Sequence, residues 1–164
     1  MLSIVALAVF ASLLLYAACS DIARMIIPNW VSIALSAAFP VAAFGVGMPF
    51  NEIGMHVLFG AAVLAVGFFL FAANIFGGGD AKLLAATAVW TGFSGFWPLF
   101  FWTATAGGLL ALALLVARHL VNQTATNPPF VNHLLRKQSG IPYGVAIMCG
   151  GLLAIPSLPF VLSR

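Results

Sequence analysis

The sequence predicts an all-α membrane protein, a polytopic bundle of about six transmembrane helices. Two observations support this fold class: 63% of the 164 residues are hydrophobic, and only 5% are charged. A soluble domain carries charge on about 25% of its residues. A spanning helix needs about 20 apolar residues, so the chain is long enough for about six spans joined by short loops. Residues 1–164 are predicted to form a single transmembrane domain.

Six apolar stretches define the predicted helices. Proline suits a turn or the first helical position, and consecutive glycines interrupt a helix. With these rules the helices are Leu2–Cys19, Trp30–Val46, Ile53–Phe76, Asp80–Trp90, Pro98–Ala117 and Ile141–Leu162. The first stretch lacks the basic start of a signal peptide and is expected to remain as a span. The fourth is short, and it either tilts or extends through 91–98.

Basic residues collect on one side of this predicted bundle. The breaks after the first, third and fifth helices face the same side, and with the adjoining helix ends they hold Arg24, Lys82, Arg118, Arg136 and Lys137. Positive charge marks the cytoplasmic side of a membrane protein. This side is therefore predicted to face the cytoplasm, and both termini the opposite side. So few charges do not indicate nucleic-acid binding; membrane lipid is the expected surrounding.

The chain contains only three acidic residues, Asp21, Glu52 and Asp80. Glu52 falls in a short linker on the outer side, where a solvated role suffices. Asp21 and Asp80 fall at the cytoplasmic ends of the first and fourth helices. Two acids far apart in sequence are thus predicted at the same membrane depth. Ionisable groups near the hydrocarbon are costly and often mark a functional site.

Two facing carboxyl groups can act as an acid–base pair. They cannot both ionise comfortably, so they share a proton. One acts as general base on a water and the other as general acid toward a carbonyl, which allows peptide hydrolysis without a metal or cofactor. Gly77, Gly78 and Gly79 carry no side chains, so backbone or substrate can approach Asp80 closely. Helix dipoles assign the base to Asp80, at a helix N-terminus, and the proton to Asp21, near a helix C-terminus.

Simpler explanations exist for each charged residue. Aspartate is a good helix N-cap, Arg24 can pair with Asp21, and Lys82 can extend toward lipid headgroups. The histidines lack the spacing of a metal site. Two other functions stay open: a small proton- or cation-coupled transporter using the same carboxylates, and a non-catalytic assembly subunit. A transporter is expected to place its acids near the bilayer midplane, whereas both are predicted at one edge.

Two segments resemble the aspartate regions of a known family. GGGDAKLL at 77–84 contains the G-x-G-D pattern of membrane aspartyl peptidases and is similar to the second aspartate region of type IV prepilin peptidases, including Lys82. Asp21, followed by Arg24 and by IPN at 27–29, resembles their first aspartate region. The six-span layout fits the same family.

A third segment extends the resemblance to the last predicted helix. IPYG at 141–144 is similar to a proline–glycine segment near the last helix of these peptidases. Pro142, Tyr143 and Gly144 are therefore expected to line the mouth of the site. The resemblance makes 1–164 a single transmembrane peptidase domain.

The resemblance implies an aspartyl endopeptidase that removes the basic leader from prepilins or pseudopilins at the cytoplasmic face of the bacterial inner membrane. Asp21 and Asp80 would be its catalytic pair. Arg24, Lys82 and the glycines 77–79 would shape the site or contact substrate, with no metal or cofactor. The substrate's apolar helix would lie in the bilayer beside the first and fourth helices.

Longer members of the family carry a cysteine-rich insert that is absent after the first helix here. The chain thus resembles the compact form associated with Tad/Flp pilus systems. N-methyltransferase activity is not implied for this form, and no oligomeric state follows from the sequence.

Overall fold

The computed structural model describes residues 1–120, 131–132 and 140–162, and within these ranges the regular structure is helical. Six α-helices are present in this part of the chain: α1 Leu2–Arg24, α2 Asn29–Gly45, α3 Phe50–Ala72, α4 Gly78–Leu120, α5 Tyr143–Leu153 and α6 Pro159–Leu162. A 3-10 turn, Ile155–Ser157, joins the last two. The predicted all-α fold class is confirmed.

Three of these helices, α1, α3 and α4, are long and apolar enough to cross a membrane. Their surfaces match that environment. In α3, the buried residues are Ile53, Gly60 and Gly67, so most of its large apolar side chains face outward. In water each Å² of such surface would cost about 25 cal/mol, whereas lipid tails solvate it. The chain is a membrane protein built as an all-α bundle.

α1 is longer than predicted and carries Asp21 inside its last turns. The sequence predicted that it ends at Cys19, but the polar residues that follow are compatible with a helix, which continues to Arg24. It ends where Met25 adopts a left-handed conformation with φ 54°. The Ser20 hydroxyl then donates to the Ile26 carbonyl oxygen (2.8 Å) and fixes the turn into α2.

The predicted fourth and fifth helices are one helix, α4, with a sharp break at Gly92. The fourth predicted helix extends through 91–97, one of the two possibilities that the sequence left open, and only Gly92 leaves the helical conformation, with φ 61° and ψ −169°. This conformation strongly favours glycine. The His56 imidazole Nδ1 donates to the Val89 carbonyl oxygen (2.8 Å), three residues before the break. The Phe39 ring stacks on the same imidazole.

The chain turns back at this break. Gly107, in the second half of α4, lies against Tyr143 at the start of α5. The next residue, Gly144, bonds to Asp21 near the end of α1. α4 therefore returns to the end of the bundle at which it begins, which is the arrangement expected of two separate spans.

The last predicted helix is also broken. The sequence predicted one helix over Ile141–Leu162, but α5 has 11 residues, a rise of about 16 Å against a hydrocarbon thickness of about 30 Å. Pro156 and Pro159 lack a backbone N–H and cannot continue the hydrogen-bond ladder. They begin the 3-10 turn and α6 instead.

An aromatic cluster fixes the first half of α4 in the bundle. Trp90 is fully buried, and its ring centroid lies 5.0 Å from that of Phe10, 5.3 Å from that of Phe160 and 5.8 Å from that of Phe39. Its indole Nε1 donates to the Leu35 carbonyl oxygen (2.8 Å). Residues of α1, α2 and α6 thus hold one side chain of α4, ten positions after Asp80.

The basic residues that the structure describes lie at one end of the bundle. Lys82 Nζ donates to the side-chain oxygen of Asn29 (3.0 Å), just after the α1–α2 turn. An Arg118 guanidinium N–H donates to the Gly140 carbonyl oxygen (2.9 Å), and the Met25 side chain lies against Gly140. Arg24 ends α1 at the same place. The other two basic residues of the predicted cluster, at 136 and 137, lie outside the described residues.

We predict that Gly92→Ala lowers the stability of the bundle by about 2–4 kcal/mol, because it combines a strained positive φ with overpacking. A Cβ at Gly92 would lie 2.5–2.9 Å from ring atoms of His56. Unfolding of the purified protein in detergent measures the loss. Gly108→Ala is the matched control, since a Cβ there meets nothing within 4 Å. A Gly92→Ala protein that unfolds at the wild-type midpoint would contradict this account of the break.

Candidate active site

Asp21 is a buried carboxyl group at the junction of α1 and α5. Its side chain is 5% exposed. Its Oδ2 accepts a hydrogen bond of 2.7 Å from the backbone N–H of Gly144. Gly144 lies in the first turn of α5, where backbone N–H groups have no partner within the helix. Pro142, the N-cap residue of α5, makes no side-chain hydrogen bond to this turn, so Asp21 supplies an acceptor from across the bundle.

Asp80 lies in the first turn of α4 and is partly exposed. Its carboxyl group folds back over the start of the helix, where Oδ2 occupies the space that a Cβ at Gly77 would fill. The first hydrogen bond of the helix, from Ala81 N–H to the Gly77 carbonyl oxygen, is 2.9 Å long. Because Gly77 has no side chain, the Asp80 carboxyl group can lie directly against the start of α4.

The structure brings the two acids together at one end of the bundle. Ile27, in the turn after α1, contacts the backbone next to both of them: it lies against Gly144 in α5 and against Gly79 in α4. Three helix ends thus converge around Asp21 and Asp80.

The three consecutive glycines make three different contacts. Gly77 accommodates Asp80; a Cβ at Gly78 would lie 3.2 Å from the Phe71 ring, and one at Gly79 would lie 3.4 Å from Ile27. None of the three has a positive φ. Their absent side chains provide space for α3, for the α1–α2 turn and for a carboxyl group, rather than an unusual backbone conformation.

Lys82 and Arg24 lie at the end of the bundle that carries the two aspartates, but their surroundings differ. The Lys82–Asn29 hydrogen bond ties the start of α4 to the start of α2, and hence the segment after Asp80 to the segment after Asp21. Arg24 is exposed in the last turn of α1, where a helix favours positive charge. The acceptor oxygen of Asp21 pairs with Gly144 and not with this neighbouring arginine.

Of the predicted residues Pro142, Tyr143 and Gly144, Gly144 contacts Asp21 directly. The Tyr143 ring packs against Gly107 and meets Phe76 edge-on, with centroids 6.1 Å apart. Phe76 precedes the glycine run, so this ring pair connects the segment before Asp80 to the segment beside Asp21. Sequence reasoning did not single out Phe76, because no periodic or motif signal distinguishes it among the 15 phenylalanines.

This geometry changes the expectation that helix dipoles place the proton of the pair on Asp21. The sequence placed Asp21 at the C-terminus of α1, an end that disfavours negative charge. The structure adds the N-terminus of α5, an end that favours negative charge, and directs it at the same carboxyl group. The two helix ends oppose each other at Asp21. Helix dipoles alone therefore do not assign the shared proton to it.

Fold and site together define a membrane protein with a two-aspartate site at one end of an apolar helix bundle. Comparison with known proteins identifies it further. A family model described as the type IV leader peptidase family matches residues 8–112, more than half of the chain, so the chain belongs to the type IV leader peptidase family and is a peptidase. This confirms the resemblance seen in the sequence. No curated protein and no solved structure matches the chain.

The matched segment contains Asp21 and Asp80 and ends within the second half of α4. α5, which supplies the hydrogen bond to Asp21, lies outside it. Within the described parts of the chain, no group of three or more His, Cys, Asp or Glu side chains is placed to hold a metal ion.

The contacts of the glycine run predict a graded loss of peptidase activity on substitution by alanine. Gly77→Ala should lower the rate most, by about 10- to 100-fold, because its Cβ would displace the Asp80 carboxyl group. Gly78→Ala should have a smaller effect and Gly79→Ala the smallest, since their Cβ atoms would meet flexible apolar side chains at 3.2 and 3.4 Å. Initial rates of substrate cleavage, normalised to folded protein, measure the order. Equal losses at 77 and 79 would refute it.

Proposed function

We propose that the chain is an aspartyl endopeptidase that removes the basic leader from Flp-like prepilins at the cytoplasmic face of the bacterial inner membrane. One observation carries the proposal: in a member of the leader peptidase family, two aspartates from separate helices lie at the same end of the bundle. Ile27 lies between them, against Gly144, which donates to Asp21, and against Gly79, which precedes Asp80. The family supports leader cleavage in general. The pair of acids supports the aspartyl chemistry.

The chemistry follows from a pair that shares one proton. The ionised carboxylate removes a proton from a water molecule, and the water oxygen adds to the carbonyl carbon of the scissile peptide bond. The protonated carboxyl group gives its proton to the carbonyl oxygen. When the tetrahedral intermediate collapses, the C–N bond breaks, the leaving nitrogen takes a proton from the protonated carboxyl group, and a hydroxyl of the intermediate gives its proton to the other carboxylate as the new carbonyl forms. One water is consumed, and the pair returns to its singly protonated state.

The position of the pair suits a substrate that is partly in the bilayer. Asp21 lies near the end of α1 and Asp80 at the start of α4, so the scissile bond would lie at the membrane edge. The apolar helix of a prepilin would occupy the lipid beside α1 and α4, and its leader would remain in the cytoplasm. Phe76 and Tyr143 would border the site on the side of α5.

The orientation of the protein rests on its basic residues. Arg24, Lys82 and Arg118 lie at the end that carries the acids, and positive residues mark the cytoplasmic side. Their charge does not attract a basic leader; it contacts anionic lipid headgroups and sets the topology. In this arrangement the protein is a multi-pass protein whose termini face away from the cytoplasm.

A transporter that uses the same carboxylates has less support. Transport sites lie near the bilayer midplane, between broken helices. Asp21 and Asp80 instead lie within a turn or so of their helix ends, and the broken helix of this bundle, α4, has its break at Gly92. The compact, Tad/Flp-like form is proposed from the sequence motifs, and no methyltransferase step is proposed.

Asp21→Asn and Asp80→Asn should each lower the rate of leader removal at least about 100-fold, because each removes one member of the acid–base pair. The double variant should be no worse than either single one, since the two act as a unit. Mass measurement of a purified prepilin after incubation reports the cleavage position and any added methyl group. Glu52→Gln, which changes the third acid, should cleave normally. Cleavage at the wild-type rate by either asparagine variant would refute the aspartyl mechanism.

The proposed orientation predicts which end of the bundle reacts with an impermeant thiol reagent. In a background with Cys19→Ser and Cys149→Ser, Ala23→Cys lies at the end with the acids and Asn51→Cys at the start of α3, on the opposite side. Both positions are exposed. In intact spheroplasts Asn51→Cys should be labelled, and Ala23→Cys only after permeabilisation. The reverse pattern would mean that the acids face the periplasm.

A further inference from the structure

We propose that Gly144 is a positioning residue of the peptidase site, whose backbone N–H holds the Asp21 carboxyl group in the orientation needed to act with Asp80. The inference rests on the proposed function, in which the two acids form the catalytic pair. It assigns a role in the reaction to α5, which lies outside the family match.

The contact between Gly144 and Asp21 imposes two requirements at once. The first is a donor: the Gly144 N–H donates to Asp21 Oδ2 at 2.7 Å, and both residues are buried. The second is the absence of a side chain. A Cβ at position 144 would lie 2.9 Å from Asp21 Oδ2, 3.0 Å from Asp21 Cβ and 3.1 Å from Ile27 Cδ1. Glycine satisfies both requirements at this position.

The donor is fixed in place by the packing of α5. Gly107 allows the Tyr143 ring to lie directly on α4. Further along α5, Gly150 lies against the backbone of α4 at Leu99 and Thr103. These close approaches leave α5 little freedom to shift along or away from α4. The first turn of α5 therefore presents its N–H to Asp21 before any substrate arrives, which is the preorganisation that catalysis requires.

The two acids consequently differ in how they are held. Asp21 is buried and has a backbone donor. Asp80 is partly exposed, and within the part of the chain that the structure describes its carboxyl group is bounded by Gly77 without a comparable donor. Asp21 is thus the fixed member of the pair, and Asp80 is the member that adjusts when substrate binds.

Two changes at position 144 test separately the backbone N–H donor and the absence of a side chain. Replacing Gly144 by glycolic acid through nonsense suppression converts its amide to an ester, which removes the N–H and adds no bulk. Gly144→Ala keeps the N–H and adds one methyl group. Each should lower kcat by about 10- to 100-fold, because the general acid–base pair is misaligned. KM should stay within about twofold, since substrate binding in the bilayer does not use this hydrogen bond.

Gly151→Ala is the matched control. It adds the same methyl group to the same face of α5, about two turns further on, where it would meet Leu14 Cδ1 instead of Asp21. It should lower the unfolding midpoint and leave kcat unchanged. A purely structural role for Gly144 would make the two alanine variants behave alike.

A spectroscopic measurement tests the contact without any substrate. Asp21 and Asp80 are the only aspartates of the chain, so in Asp80→Asn protein grown with [4-13C]aspartate the carboxyl resonance belongs to Asp21 alone. The ester at 144 should shift this resonance, and Gly151→Ala should not.

The outcomes distinguish the inference from the function on which it rests. Failure of the wild-type protein to cut a prepilin overturns the proposed function, while the resonance still reports whether Gly144 holds Asp21. An active wild-type protein whose ester variant keeps the wild-type kcat overturns the positioning role, whether or not the resonance shifts. A fall in kcat with a shifted resonance and an unaffected Gly151→Ala variant is the expected result.

Discussion

The site end of this bundle depends on how a carboxyl group is accommodated inside an apolar structure. An unpaired polar group buried among apolar side chains costs several kcal/mol, so a buried carboxyl must find donors or share a proton. Asp21 meets this constraint with the backbone N–H of Gly144. This hydrogen bond requires α1 and α5 to approach closely, and the same packing places the start of α5 beside the start of α4. The meeting of Asp21 and Asp80 is thus a consequence of helix packing, and the same packing leaves room for each carboxyl group beside a glycine, at 144 and at 77.

The opposite end of the bundle supplies the rigidity that this arrangement needs. α4 leaves the site, passes Trp90 in its aromatic cluster and turns back at Gly92, where His56 bonds to the Val89 carbonyl oxygen. Because Trp90 is held by residues of three other helices, the first half of α4 cannot easily rotate and carry Asp80 away from Asp21. The fixed scaffold thus lies at one end of the bundle and the two aspartates at the other.

The membrane bundle and the shared end of the two aspartates could be predicted from the sequence, because composition and short local motifs indicate them. Low charge predicted the membrane bundle, and the glycine run before Asp80 and the IPN turn after Asp21 predicted a common end for the two acids. The α4 break and the short α5 were not predicted correctly. At Gly92 the deciding interaction is with His56, from another helix, and no local pattern records it. The hydrogen bond from Gly144 to Asp21 could not be predicted either, since every residue except proline has a backbone N–H and the sequence does not mark which one donates. Ile27 lay within a quoted motif, but its packing against two glycines follows only from the fold.

The central claim is that Asp21 and Asp80 lie within reach of each other at one end of the bundle. Thiol cross-linking measures this directly. In the background without native cysteines, Asp21→Cys and Asp80→Cys in one chain should be joined by a short bifunctional reagent in native membranes, as a mass increase of the intact protein reports. Asp21→Cys with Glu52→Cys, which pairs the site with the start of α3 at the other end, should give no product. Efficient linkage of the second pair, or none of the first under conditions in which both thiols react singly, would contradict the account.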